Sequence, residues 1–301
     1  MPDSFVPLVL ISLHTLAVFL YALAKVSLSR RISQYRLLYR FVIVSAGVMI
    51  PANLACLSTP PGAVHTLIQS FSIASLAAIA ALTWHFRHPS CRQDPSRIVL
   101  AIGAHPDDLE LACSGTLARL VDNGHRVHAL VMTHGAVGGD ASIRPGEARN
   151  GARFLGLTSC ELHDLPDTHL AESSNVMIGL IETAIARHHP DLILTHSAND
   201  QHQDHVAVHW ATRRAARNHP AIICYESPSA TPAFCPQAYV DVSGYLDTKQ
   251  MAVELHRDQS EKPYMTTSVL QGVATFRGRQ ARMDDAEGFE VIRLPLFGGI
   301  L

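Results

Sequence analysis

Three stretches near the start of the chain contain no charged side chain: residues 7–24, 41–58 and 63–84. Each approaches the roughly 20 apolar residues that cross a bilayer core. Helices of a soluble bundle would show a charged outer face. The first 84 residues supply only Asp3, Lys25, Arg30, Arg31, Arg36 and Arg40. Residues 1–84 are therefore expected to form an α-helical transmembrane segment of about three spans. Pro51 and Asn53 lie within the second stretch, His65 and Gln69 within the third. The opening "MPDSF" lacks the basic region of a secretory signal peptide.

The basic residues predict an orientation. Five lie in the expected loop 25–40, and Arg87, Arg92 and Arg97 follow the third stretch, whereas the N-terminus and the 59–62 loop have none. Lys and Arg are enriched in cytoplasmic loops. The first span should run inward, the second outward and the third inward, with Trp84 at the interface. The chain then reads as a multi-pass membrane protein whose body faces the cytoplasm. Residues 85–96, polar and with two prolines, read as a linker.

Beyond residue 84 the composition changes. Acidic residues outnumber basic ones there, 25 to 19. Nucleic-acid binding needs a basic face, so no nucleic-acid partner is expected. Six cysteines without a CxxC pair argue against a zinc ribbon or a disulfide scaffold and fit a reducing compartment.

Residues 97–104 form a short continuous apolar run, as a strand buried on both faces requires. Helical spacing follows over 109–123, stopped by Gly124. Further strands are predicted at 126–133, 159–165, 191–197 and 221–227, with helices over 145–157, 173–189 and 203–217. The stretch 238–243 and a helix near 245–260 read as additions at the edge. Strands alternating with helices imply a mostly parallel sheet covered on both faces. The fold class is thus α/β, a Rossmann-like three-layer sandwich over 97–301. Ligands in such folds bind beyond the carboxyl ends of the strands.

Two clusters fall there. "AHPDDLELACSGT" places His105, Asp107 and Asp108 at the end of the first strand. Adjacent carboxylates repel and resist burial unless a cation or several N–H donors satisfy them. His105 and Asp108 suit a divalent metal, and Asp107 is then free to act as general base. The structural alternative is a helix N-cap. "THSANDQHQDHVAVHW" crowds His202, Asp204 and His205 after a later strand. His205 suits a third ligand, with His196, Asp200 and His209 as competitors. His202 is a candidate donor to a developing oxyanion, and the alternative is a polar capping loop.

These stretches, with weaker echoes in "IRPGEARNGARFLGL", "KQMAVELHRDQS" and "AEGFEVIR", resemble the PIG-L/LmbE-like family of N-acetylglucosamine de-N-acetylases over roughly residues 97–293. The resemblance implies metal ligation by His105, Asp108 and His205, most simply of Zn2+. It also implies a general base at Asp107, an oxyanion-stabilising or acidic His202 oriented by Asp204, and a substrate-contacting Arg144. Leu109 stands where an acid is common, and Ala112 and Ser114 where glycines are. The implied reaction is hydrolysis of the N-acetyl amide of an amino sugar or glycoconjugate, which the membrane spans would allow to be lipid-linked. The rivals are an amidase acting on a non-sugar or thiol conjugate, and a membrane-tethered sugar- or metal-binding module without turnover.

Other residues read as structural. Cys113 suits a small buried position, and Gly138 and Gly139 suit a loop turn. No GxGxxG fingerprint follows the first strand, and Ser114 is not in a nucleophile elbow. His14 and His65 are expected to pair with neighbouring helices. Glu287 has no role that sequence alone assigns.

Overall fold

The computed structural model describes residues 5–87 and 96–295. The "MPDSF" start up to Ser4, most of the predicted 85–96 linker and the last six residues lie outside the described residues. The chain divides into two compact units, Met1–Pro89 and Ser90–Leu301.

In the first unit, α1 (Phe5–Leu23), α3 (Tyr35–Leu57) and α4 (Ala63–His85) are long and apolar enough to cross a membrane. The segment 25–40 is not the loop the sequence suggested. It is rich in Lys, Arg and Leu, good helix formers, without Gly or Pro, and it builds α2 (Lys25–Arg31) and the first turns of α3. Tyr35 anchors that turn: its ring stacks on Tyr21 at 6.2 Å, and its hydroxyl donates to the Tyr21 carbonyl at 2.6 Å. Several polar residues inside the apolar helices are paired. His14 Nε2 lies 3.0 Å from Ser75 Oγ, and Asn53 Nδ2 donates to Ser72 Oγ at 2.8 Å. His65 Nε2 meets the Cys56 carbonyl at 3.1 Å.

Among the described residues, the second unit holds seven strands in the order β3-β2-β1-β4-β5-β7-β6. They are β1 (Ile98–Gly103), β2 (Arg126–Val131), β3 (Ser159–Leu162), β4 (Leu192–His196), β5 (Ile222–Tyr225), β6 (Ala238–Asp241) and β7 (Ala286–Arg293). β3, β2, β1, β4 and β5 are parallel, and β7 runs antiparallel to both β5 and β6. The helices are α5 (Asp108–Asp122), α6 (Arg144–Leu155), α7 (Ser174–His188), α8 (Gln203–Ala215), α9 (Leu246–Val253) and α10 (Thr267–Ala281).

Alternate strand residues sort the layers. Leu100, Ile102, Leu130, Met132, Ile193 and Ile222 pack with Met177 and Ile181 of α7 and Val208 of α8 in one buried core. Gly103 faces the opposite side, where a β-carbon would sit 3.4 Å from Asp108 Cβ. α5 therefore covers the other face. Strand order reverses between β1 and β4: the chain proceeds outward from β1 through β2 to β3, then returns to β4 on the far side of β1. That switch point opens a crevice at the carboxyl ends of β1 and β4, the preferred ligand position in open α/β sheets.

The stretch 238–243 supplies β6 at the edge of the sheet, as expected, whereas β7 was not foreseen and is inserted between β5 and β6. α10 was not foreseen; its sequence carries Gly272 and Gly278 and little apolar periodicity. The helix expected near 245–260 stops at Val253, and a short 3₁₀ turn at Arg257–Gln259 follows.

Candidate active site

The chain leaves β1 through His105, Pro106 and Asp107 into α5. Asp108 turns back on this loop, its Oδ2 accepting the N–H groups of Ala104 (2.9 Å) and His105 (2.7 Å). Asp107 occupies the N-cap position but makes no side-chain cap bond. Its φ is 121°, a conformation that side-chain-bearing residues rarely adopt. The acids are thus not used as helix caps. Arg144 holds Asp107 from the side: one guanidinium nitrogen lies 3.3 Å from Asp107 Oδ2 and 3.0 Å from the Pro106 carbonyl, and the other 2.7 Å from the Gly135 carbonyl. Gly135 permits this, because its φ is 71° and a β-carbon would come within 2.1 Å of the guanidinium.

The loop after β4 supplies the second half. His205 Nδ1 lies 2.9 Å from Asp200 Oδ2, and Ser229 Oγ donates to Asp200 Oδ1 at 2.6 Å. With Nδ1 carrying the hydrogen, Nε2 of His205 turns to Asp108 Oδ1 at 3.3 Å. His105 is held in the opposite sense. Its Nε2 sits 3.1 Å from Asp167 Oδ1 and 3.2 Å from Asp204 Oδ2, leaving Nδ1 3.6 Å from Asp108 Oδ2. The rings of His105 and His205 stand 5.4 Å apart. Carboxylates that bind the far nitrogen of an imidazole fix its tautomer and raise its basicity, the usual device around a metal-ligating histidine.

The donor set fits a cation. Burial alone would strip protons from both rings. The carboxylates of Asp108, Asp167 and Asp204 nonetheless hold His105 well above the ordinary imidazole range. Asp108 and Asp200 likewise raise His205 to about 9. Asp108 itself, despite burial, is held well below the usual carboxylate range by His205, His196 and His105. Positive charge is favoured where the two free ring nitrogens meet the Asp108 carboxylate. Among the described residues, ligand atoms of three trios approach within 4.8 Å of one another: His105/His202/His205, Asp108/His196/His205 and His105/Asp167/Asp204; the expected His105/Asp108/His205 set is shared between the first two and is not itself one of them. In the last of these trios, His105 Nε2 already bonds both carboxylates. His196, fully buried, places Nε2 3.0 Å from Asp108 Oδ2, and burial followed by the His205 charge lowers its pKa to about 4. His209 points away, its Nδ1 2.8 Å from the His196 carbonyl.

Two sequence expectations need correction. Asp204 does not orient His202 through its carboxylate. That group bonds His105 and the N–H groups of Thr168 (2.7 Å) and Leu170 (3.1 Å). Instead the Asp204 backbone N–H donates to His202 Nδ1 at 3.2 Å, so His202 caps α8 and its Nε2 carries the hydrogen in the neutral ring. Arg144 is only 3 % exposed and bound to Asp107 and two carbonyls, which makes it a positioning residue more than a substrate contact. Asp167 was missed. The Gly-rich loop serves it: Val137 and Gly138 donate N–H groups to its Oδ2 at 2.7 and 3.4 Å. Its position just after β3 was the available signal, because every other acid of the site also follows a strand's carboxyl end.

Glu287 also acquires a place. α5 breaks at Cys113 (φ −138°, ψ 16°). Glu287, on β7, accepts the freed N–H groups of Gly115 (3.1 Å) and Thr116 (2.8 Å) and pairs with Lys249 Nζ at 2.6 Å. Lys249 in turn donates to the Ala112 carbonyl at 3.1 Å. Cys113 is a fully buried thiol, its pKa raised well above the ordinary value by burial first and the nearby Glu287 second.

Asp107, Asp108, His105, His202 and His205 all open onto one cavity of about 380 Å³, with Arg144, Asp167 and Tyr264 also in its walls.

Residues 100–216 match the PIG-L family, described as GlcNAc-PI de-N-acetylase. An uncharacterized deacetylase of Escherichia coli K12, YaiS, is 39% identical over 166 residues, 53% of this chain and 90% of the relative. The chain belongs to the PIG-L family. A diacetylchitobiose deacetylase from Thermococcus kodakarensis is 26% identical over 256 residues, covering 74% of this chain and 92% of that protein. At family level the activity is deacetylation of N-acetylated, sugar-type substrates. The fold is shared more widely. GalB, the 4-carboxy-2-hydroxymuconate hydratase from Pseudomonas putida KT2440, superposes with a TM-score of 0.58 at 18% identity, over 67% of this PIG-L chain and 99% of its own. Reaction type therefore rests on the site and the sequence relatives, and not on the fold.

Proposed function

We propose that this PIG-L family member is a membrane-anchored, metal-dependent deacetylase that hydrolyses the N-acetyl amide of an amino sugar or glycoconjugate, releasing acetate and a free amine. One observation carries the reading. His105 Nδ1 and His205 Nε2, each oriented by a carboxylate on its other nitrogen, turn to the two oxygens of Asp108, with Asp107 beside them in the same cavity.

His105, Asp108 and His205 would hold the cation, with Zn2+ the simplest choice for a His/Asp set. When bound, it supplies Lewis-acid polarisation of the acetyl carbonyl and lowers the pKa of water toward about 7. Asp107, fixed by Arg144, takes the proton of the attacking water and returns it to the departing amine. His202 presents an Nε2–H to the carbonyl oxygen as its charge grows, a contact of the kind worth about 3–4 kcal/mol. Burial, then the charges of His205 and His105, lower the His202 pKa, which keeps it a neutral donor. Asp167, Asp204 and Asp200 set the tautomers.

The name of the Thermococcus relative supports an N-acetylated sugar as substrate. Membrane anchoring is supported by the apolar residues that α1, α3 and α4 leave exposed, among them Phe5, Phe19, Val44 and Phe71, since water-soluble proteins rarely keep such a surface. The basic residues between α1 and α3 support a cytoplasmic body.

The full chain is expected to purify with a divalent metal and to release acetate from one or more of a panel of N-acetylated sugars. Chelation should abolish release and added metal restore it. Sugar binding without acetate release would make the protein a binding module, and turnover only of thiol conjugates or other non-sugar amides would make it a different amidase. A reporter fused after Leu301 is expected to be active on the cytoplasmic side; activity only outside would reverse the topology.

A further inference from the structure

A second cavity, of about 190 Å³, adjoins the one described, and Leu111, Pro228 and Tyr264 line both. Its chemistry is different. α5 and α10 supply Leu111, Leu270, Val273 and Ala274 to its wall. The four charged side chains around it are closed on one another. Arg277 makes two bonds to Glu226, at 2.8 and 2.6 Å, and Lys249 pairs with Glu287 at 2.6 Å. An occupant therefore meets an apolar surface with no uncompensated charge among these groups. The space exceeds the roughly 150 Å³ that accommodates a benzene ring in an apolar protein cavity. Val269 and Val273 are 42% and 45% exposed, which sets them at its outer rim.

The dividing wall is also part of the catalytic support. Ser227 and Ser229 hold Asp200, which orients His205, and Pro228 between them faces both cavities. A group in the second cavity lies one residue's width from the site that would hold the acetamide.

We propose that this second cavity is an apolar subsite for the alkyl arm of an amphiphilic substrate, joined to the sugar whose N-acetyl group is cleaved beside Asp107. The proposal rests on the deacetylase reading and narrows its substrate to glycosides bearing a hydrocarbon chain.

The test uses the full chain in lipid nanodiscs, free of alkyl detergent, and n-alkyl β-N-acetylglucosaminides from methyl to hexyl. kcat/KM is expected to rise by up to about fourfold per added methylene, the gain from burying one such group. Val273→Asp, at a half-exposed position that tolerates a charge, should bring the hexyl-to-methyl ratio close to one, and Ala274→Phe, which fills the space, should do the same. If the methyl glycoside is turned over but chain length has no effect, or has an effect that both variants leave intact, the subsite proposal fails and the deacetylase reading stands. If no glycoside yields amine, the deacetylase reading fails. Binding of hexyl β-glucoside, measured by calorimetry, then decides the subsite. Binding lost in Val273→Asp supports it, and no binding to the parent chain overturns it.

Discussion

Asp107→Asn is expected to lower acetate release by about 10²–10⁴-fold, the usual contribution of a positioned general base, while bound metal stays at the level of the parent chain. The substitution keeps the shape and preserves an oxygen for the Arg144 contact, but an amide cannot take a proton from water. Asp107 is suited to both halves of the task. Burial first, and the Asp108 charge second, raise its pKa to about 6, against the opposing charges of Arg144, His256 and His105. It is therefore ionised at neutral pH yet basic enough to hold a proton until the amine departs. Below about pH 6 the carboxylate fills with protons, and the rate should fall with it. The two readouts separate the possibilities. Loss of metal in the variant would make Asp107 a ligand, and unchanged acetate release would remove the proposed mechanism altogether.

The parts of this site that were legible in the sequence are those that depend on position along the chain. The His105–Asp108 and His202–His205 stretches each follow an apolar strand, and a doubly wound sheet delivers the ends of β1 and β4 to one crevice. Their approach to each other needed no further information. Hydrogen-bond direction was not legible. Whether the Asp204 carboxylate serves His202 or His105 is decided by the 167–170 loop, whose N–H groups of Thr168 and Leu170 capture it. The same loop brings Asp167 to His105 from a distant part of the sequence. Arg144 shows a similar limit. The family resemblance implied substrate contact, but the left-handed turn at Gly135 admits the guanidinium beneath the loop, where it holds Asp107. In the fold, β7 was not foreseen because antiparallel insertion between β5 and β6 is a long-range pairing without a local pattern. The segment 25–40 was misread because its charge suggested a loop, whereas Lys, Arg and Leu are good helix formers.

Glu287→Gln is expected to destabilise the body by about 3–5 kcal/mol, the cost of leaving one partner of a buried ion pair uncompensated. Lys249 is 5% exposed, so its ammonium would keep the Ala112 carbonyl but lose its counter-charge. Gly115 and Thr116 bond different oxygens of Glu287, so Gln can still accept one of the two N–H groups and the break in α5 keeps partial support. Adding Lys249→Met removes the stranded charge, and the pair of substitutions should recover most of the loss, because replacing both ions of a buried pair is often near neutral. Pulse proteolysis of the full chain across a urea series measures both variants. A single-variant cost below about 1 kcal/mol, typical of exposed pairs, would show that water reaches Lys249.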